Sequence, residues 1–281
     1  MEAKLGVLII HGVGSHKPDF AEPMKDKLKR RISIHDGICW EPVHWADLLL
    51  KVESRLLNRL FPEEKRHHWF LKCSLRFKLR ELVMNGIGDV TAYRSIPNIS
   101  GHTPTRQTNK EYDEIHARVH KHIVRLREKL GNAAKPLIVM AHSFGSVIMC
   151  DYIWDRQHNI NEELYGATPF ESMKTLAGFI TFGSPIPLFA VADDQVLRIK
   201  LPRDTLQGDL KDNAKWLNFY DAHDVFGWPL TDLRPRVCED RPIKVGSIFT
   251  RWNPACHSKY WTDNNFIEPV AQYISKILSL S

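Results

Sequence analysis

Short apolar runs alternate along this chain with longer segments of helical period, and turn residues separate the two. Leu5 to Ile10, Ile38 to Val43, Leu137 to Met140, Leu176 to Phe182, Trp216 to Tyr220 and Val245 to Phe249 read as buried strands. Phe20 to Ile32, Tyr112 to Leu130, Val147 to Arg156 and Phe266 to Leu278 read as helices. In the second of these, Ile115, Val119, Ile123, Leu126 and Leu130 recur three and four apart, which sets one buried stripe. Apolar strands spaced by such helices predict an α/β fold, a mostly parallel sheet of about six strands covered by helices on both faces.

The alternation stops between Ala46 and Thr108, a stretch far longer than the roughly two to six residues that usually join elements of an α/β unit. The pattern therefore predicts a core of residues 1–45 and 109–281, interrupted by a helical cap or lid insertion with a loop at 46–108. Leu48, Leu49, Val52, Leu56, Leu57 and Leu60 fall on one side of a first helix, with Lys51, Arg55 and Arg59 opposite. A second basic amphipathic stretch, "HHWFLKCSLRFKLRELVM", follows the breaker Pro62. Trp40, Trp45 and Trp69 are expected to pack the base of this insertion. "SIPNISGHTPTRQTN" reads as a loop, and so does the Asp193-Asp194 pair after "SPIPLFAVA".

Composition narrows the class without choosing a function. Of 281 residues, 43% are hydrophobic and 26% charged, the balance of a globular protein rather than a disordered or fibrous one. No apolar run approaches the roughly 18 residues of a membrane span, and "MEAKLGVLIIHGVG" lacks the layout of a signal peptide, so a cytoplasmic location is expected. Five scattered cysteines without a CxxC pair read as free thiols. Much of the net charge of +6 lies in residues 51–82, where nine Lys/Arg stand against four Glu. No nucleic-acid module accompanies it. It is either the solvated face of a helical hairpin or the substrate- or membrane-facing side of a lid.

The chemistry is carried by Ala141-His142-Ser143-Phe144-Gly145, which follows a buried strand and opens an apolar helix. A nucleophile elbow needs small residues two before and two after its serine, because neighbouring chains approach the turn closely. Ala141 and Gly145 meet that need, and the turn aims the Phe144 N–H and the helix N-terminus at a developing oxyanion. The first strand ends in "LIIHGVGSH", where a His-Gly turn offers the Val13 N–H as a second oxyanion donor. A phosphate loop would need GxGxxG or GxxxxGK[ST], and neither is present.

The partners are expected in the order serine, acid, histidine. "KWLNFYDAHDVFGWPL" offers two acids, and Asp224, past the strand end, is favoured over Asp221, whose other role is to cap the turn. Of 14 histidines, only His257 follows both that acid and the last expected strand. His257 would then deprotonate Ser143 while Asp224 fixes the imidazole. His116 and His120 lie four apart on a helix but lack HExxH, so they read as a solvated face rather than a metal site.

"HGVG", "AHSFGSVIMCDYIW", "TFGSPIPLFA" with "NFYDAHDV", and "GDVTAYRS" together resemble the α/β-hydrolase superfamily. Within it they are most similar to the DDHD-type intracellular phospholipases A1 and bacterial relatives. The resemblance covers the core, not the insertion from Ala46 to Met84. It implies an α/β-hydrolase fold and cofactor-free cleavage of a carboxylic ester of an acyl or lipid substrate. Carried over by position, Ser143 is nucleophile, Asp224 acid, His257 base, and Val13 and Phe144 oxyanion donors. Phospholipase A1, acyltransferase and thioesterase activities would use the same triad, and a non-catalytic lipid- or partner-binding protein would keep the fold without the chemistry. The chain departs from the family at Ala141, where a glycine is usual, and in lacking an opening antiparallel hairpin.

Overall fold

The computed structural model describes residues 3–14, 16–33, 35–48, 92–93, 95–98, 105–132, 134–165, 168–190, 199–233, 236–246 and 254–281. The expected helices of the insertion, Trp69 and the Asp193-Asp194 pair lie outside them.

Leu5–Ile10 forms β1, Ile38–Val43 β2, Leu137–His142 β5, Leu176–Phe182 β6, Lys215–Tyr220 β7 and Cys238–Pro242 β8. They form one sheet in the order β2-β1-β5-β6-β7-β8, and every neighbouring pair is parallel. β1, β5 and β6 are buried along their whole length, which is why they read as unbroken apolar runs. β2 closes one edge, and Pro42 is tolerated there because an edge strand can spare a ladder N–H.

The helices follow from the connections. Glu22–Lys29 (α1) joins β1 to β2, Lys110–Leu130 (α2) leads into β5, and Phe144–Gln157 (α3) joins β5 to β6. Ile186–Ala190 (α4) and Gly208–Asn213 (α5) are short, and Asn264–Ser279 (α6) closes the chain. Right-handed crossovers running in opposite directions from β1 and β5 place α1 and α3 on opposite faces of the sheet. α1 meets α6, where Arg31 donates to Glu268 and Asn264, and α2 meets α3, where the Tyr112 hydroxyl donates to Asp155 Oδ2 at 2.7 Å. α2 is capped at both ends: Asn109 accepts from the Tyr112 N–H, and Gly131 ends the helix at φ +67°. α3 has no polar face, because it is buried on nearly every side.

Three expectations are corrected. Among the described residues the last strand is Cys238–Pro242, which the sequence reading missed; Val245 and Gly246 of the expected strand Val245–Phe249 are not in a strand, the Val245 N–H going to Asp221 Oδ2, and its residues 247–249 lie outside the described residues. Cys238–Pro242 escaped because an edge strand with Glu239, Asp240 and Arg241 has no apolar run. The stretch read as a loop at 95–109 contains a small antiparallel ribbon, Ser95–Asn98 (β3) with Thr105–Thr108 (β4), whose pairing needs no apolar face. His116, expected on a solvated face, is 1% exposed, because Tyr93 covers it and bonds its Nε2 at 2.9 Å. His120 is half-buried against the Tyr152 hydroxyl. Among the described residues no helix is long and apolar enough to cross a membrane.

β1 connects towards one edge of the sheet and β5 towards the other. The crevice beyond their carboxyl ends is a topological switch point, the usual ligand position in open α/β sheets. His11-Gly12 follows β1 there, and Ser143 follows β5.

Candidate active site

Ser143 stands between β5 and α3 with φ +52° and ψ −131°, in a region that side-chain-bearing residues seldom enter. Such a conformation costs about 1–3 kcal/mol and persists only where the surroundings enforce it. Those surroundings can be named. The Ser143 N–H donates to the Phe182 carbonyl at 3.0 Å, and its own carbonyl accepts from the Ser146 N–H at 2.9 Å and the Ser146 hydroxyl at 2.5 Å. Ser146 is held in turn by Ser184 at 2.7 Å.

The loop after β1 lies directly against this turn. A Cβ on Gly145 would sit 2.5 Å from the His11 carbonyl oxygen, and one on Gly12 would sit 2.5 Å from Ser143 Cβ. These contacts give the small residues of the two motifs a physical reason.

The His11 ring fixes the loop. Its Nε2 accepts the Trp45 backbone N–H at 3.2 Å, so the proton resides on Nδ1, which donates to the Gly12 carbonyl at 2.7 Å. Burial, with His16 beside it, holds His11 well below the ordinary histidine range, so it stays neutral. Because the Gly12 carbonyl is turned to His11, the trans peptide directs the Val13 N–H the opposite way.

The candidate acid and base come from two segments that meet beside Gly183, which follows β6. His257 lies in the 3-10 segment Pro254–Trp261, and its Nδ1 is 2.8 Å from Asp224 Oδ2. Asp224 follows β7; its Oδ1 accepts the Phe226 N–H at 3.0 Å, and the residue is 4% exposed. Gly183, next to the Phe182 that holds Ser143, packs under this pair at φ +58°; a Cβ there would lie 2.9 Å from His257 Cε1 and 3.2 Å from Asp224 Oδ2. Asp221 is turned elsewhere, accepting from the N–H groups of His223 at 2.9 Å and Val245 at 2.7 Å. The structure thus brings Asp224, and not Asp221, to His257, with Ser143 one residue from the packed neighbours of both.

Four residues of this site carry no motif of their own. His142, inside the elbow, donates from Nε2 to the His257 carbonyl at 2.9 Å, and the two rings lie 4.7 Å apart. Burial, then the neighbouring His257, keeps His142 neutral. The Tyr260 hydroxyl accepts the Asp221 N–H at 2.8 Å and donates to Asp224; burial and the Asp224 charge push its pKa up, so it remains a donor. Asn218 and Asp240 anchor the acid loop from below. Asn218 donates to the Trp228 carbonyl at 2.9 Å and to Asp240 Oδ1 at 2.7 Å, while Asp240 accepts the N–H groups of Leu230 and Thr231. Asp240, one of the polar residues that hid β8 in the sequence, therefore helps to hold the loop that carries Asp224. A position-specific signal was available only for His142, which occupies the variable place before the elbow serine.

The rim of the site is apolar. Val225, Phe226 and Trp228 on the acid loop and Leu188 on α4 are exposed, and the Phe226 ring stands edge-on to His257 at 5.1 Å. Trp228 ties the two segments together by donating its backbone N–H to the Ser184 carbonyl at 3.1 Å.

No protein-family model matches the chain, and no curated protein matches it.

Proposed function

We propose that this chain is a serine hydrolase of the α/β-hydrolase type, a carboxylesterase or lipase, with residues 46–108 as its cap. His257 Nε2 takes the proton of Ser143 Oγ as the oxygen attacks the acyl carbon. The oxyanion of the tetrahedral intermediate accepts from the Val13 and Phe144 N–H groups. As the intermediate collapses, the alcohol leaves with the proton from His257 and the acyl group stays on Ser143. Water then attacks the acyl-enzyme, His257 again takes the proton, and the carboxylic acid departs. Throughout, Asp224 holds Nδ1–H and stabilises the imidazolium that forms.

The observation that carries this reading is the Ser143 backbone at φ +52°, held at the head of a buried helix, while the adjacent His142 packs on the His257 ring that Asp224 orients at 2.8 Å. A serine that only began a helix would not need that conformation. The apolar rim favours an acyl chain over a polar substrate. The test is hydrolysis of p-nitrophenyl esters of rising chain length by the wild type and by Ser143→Ala. The wild type is expected to turn over one part of the series, with the variant down by about 10³-fold or more in kcat. Equal rates for the two proteins across the series would overturn the proposal.

A further inference from the structure

Residues that precede and follow segment 49–91 pack around the two oxyanion donors. Trp45, fully buried, donates its indole N–H to the His11 carbonyl at 2.9 Å and its backbone N–H to His11 Nε2 at 3.2 Å. Its ring lies parallel to His11, with the centroids 5.3 Å apart, and also reaches the Phe144 ring at 6.2 Å. His11 in turn sets the Gly12–Val13 peptide. Tyr93, on the other side of the segment, packs edge-on against Phe144 at 5.4 Å, and its hydroxyl donates to Asp151 Oδ2 at 2.9 Å.

Phe144, Ile148, Asp151 and Asp155 recur at spacings of four, three and four along one face of α3. Tyr93 therefore grips two points of the nucleophile helix at once. The same face carries a buried network. Arg106 on β4 donates from Nε to Asp155 at 2.7 Å and reaches Asp151 at 3.4 Å, Tyr112 donates to Asp155, and the proton on His116 Nε2 goes to the Tyr93 hydroxyl.

A buried ionic network is weak evidence for stability, since apolar residues of similar volume often do as well or better. What it supplies here is geometry. Directional bonds fix Tyr93 and Arg106 on α3, whereas an apolar contact would let them slide.

We propose that Trp45 and Tyr93 are positioning residues for the oxyanion hole, Trp45 setting the Val13 N–H through His11 and Tyr93 setting Phe144 through its ring and Asp151. This rests on the reading of Val13 and Phe144 as the oxyanion donors. Neither side chain touches substrate. Trp45 and Tyr93, which precede and follow segment 49–91, each tie the chain to one donor, so the two donors keep their spacing only while both side chains are seated.

Tyr93→Phe keeps the ring against Phe144 and deletes only the hydroxyl, and Trp45→Phe deletes the indole donor. Rates are measured on a short-chain p-nitrophenyl ester and divided by the serine titrated with a fluorophosphonate, so that misfolded protein drops out. In each variant kcat per titrated serine is expected to fall about tenfold with KM changed less than about twofold, because small displacements of catalytic groups act on the transition state. Tyr93→Phe and Asp151→Ala combined should lose little more than either alone, since each removes one partner of the same hydroxyl–carboxylate contact. Unchanged kcat per titrated serine, or multiplicative losses in the double variant, would overturn the proposal while leaving the hydrolase intact. A wild type that neither turns over nor labels would overturn the hydrolase reading itself, and this one with it.

Discussion

Gly183 shows how much of the proposed catalytic geometry depends on a residue with no chemistry of its own. At φ +58° it occupies backbone space that side-chain-bearing residues avoid, and a Cβ would press on His257 Cε1 at 2.9 Å and Nδ1 at 3.0 Å. Gly183→Ala should therefore displace the imidazole from Ser143 and lower kcat by about tenfold or more, since a shift of around 1 Å is enough for that. The check is kcat and KM beside a thermal melt: retained kcat in a folded variant would contradict the packing described for this pair. His142 and Tyr260 belong to the same scale. One holds the backbone of the base and the other the carboxylate of the acid, while Asp224 itself holds the imidazole.

At the scale of elements, α3 follows the proposed nucleophile and carries a charge that its burial disfavours. Burial, against the opposing Arg106 charge and with Asp155 adding to it, raises the Asp151 carboxyl to about 6. Between about pH 4 and pH 6 the folded protein keeps a proton there that the unfolded chain has released, so this group makes stability fall as pH rises through that window. Asp151→Asn cannot titrate. Its unfolding free energy relative to the wild type should rise across the window by on the order of 2–3 kcal/mol and level off above it. Urea unfolding of both proteins across that window and just above it reads this, and parallel curves would contradict it. The elements also show what the sequence could reveal. β1 and β6 stand where their apolar runs predict, because a strand buried between helices has no other way to be written. β8 and the β3–β4 ribbon were not legible, since edge and two-stranded pairs draw on backbone bonds and polar anchors that leave no period. The pairing of Asp224 with His257 was legible because the expected order of serine, acid and histidine left one histidine and favoured one acid. The network of Tyr93, Arg106, His116, Asp151 and Asp155 was not, because its members are scattered from residue 93 to residue 155 and only folding brings them together.

Across the whole molecule, the candidate site at the switch point of the sheet is joined in one chain to residues 51–82, which hold nine Lys/Arg against four Glu. If this segment meets an anionic lipid surface, sedimentation with phosphatidylserine-containing vesicles should fall steeply between about 50 and 500 mM salt (about 14 Å and 4 Å of screening length), because exposed charges are screened beyond roughly 10 Å at 0.1 M. Vesicle binding that ignores salt, or none, would contradict an electrostatic contact of this segment with anionic lipid. The central claim, however, is that one serine among those of the chain is a nucleophile. It is tested most directly by treating the wild type and Ser143→Ala with a fluorophosphonate and locating the label by peptide mass spectrometry. One label per chain on the peptide bearing Ser143, absent from Ser143→Ala, is the expected result. An unlabelled wild type, or equal labelling of the two proteins, would contradict it.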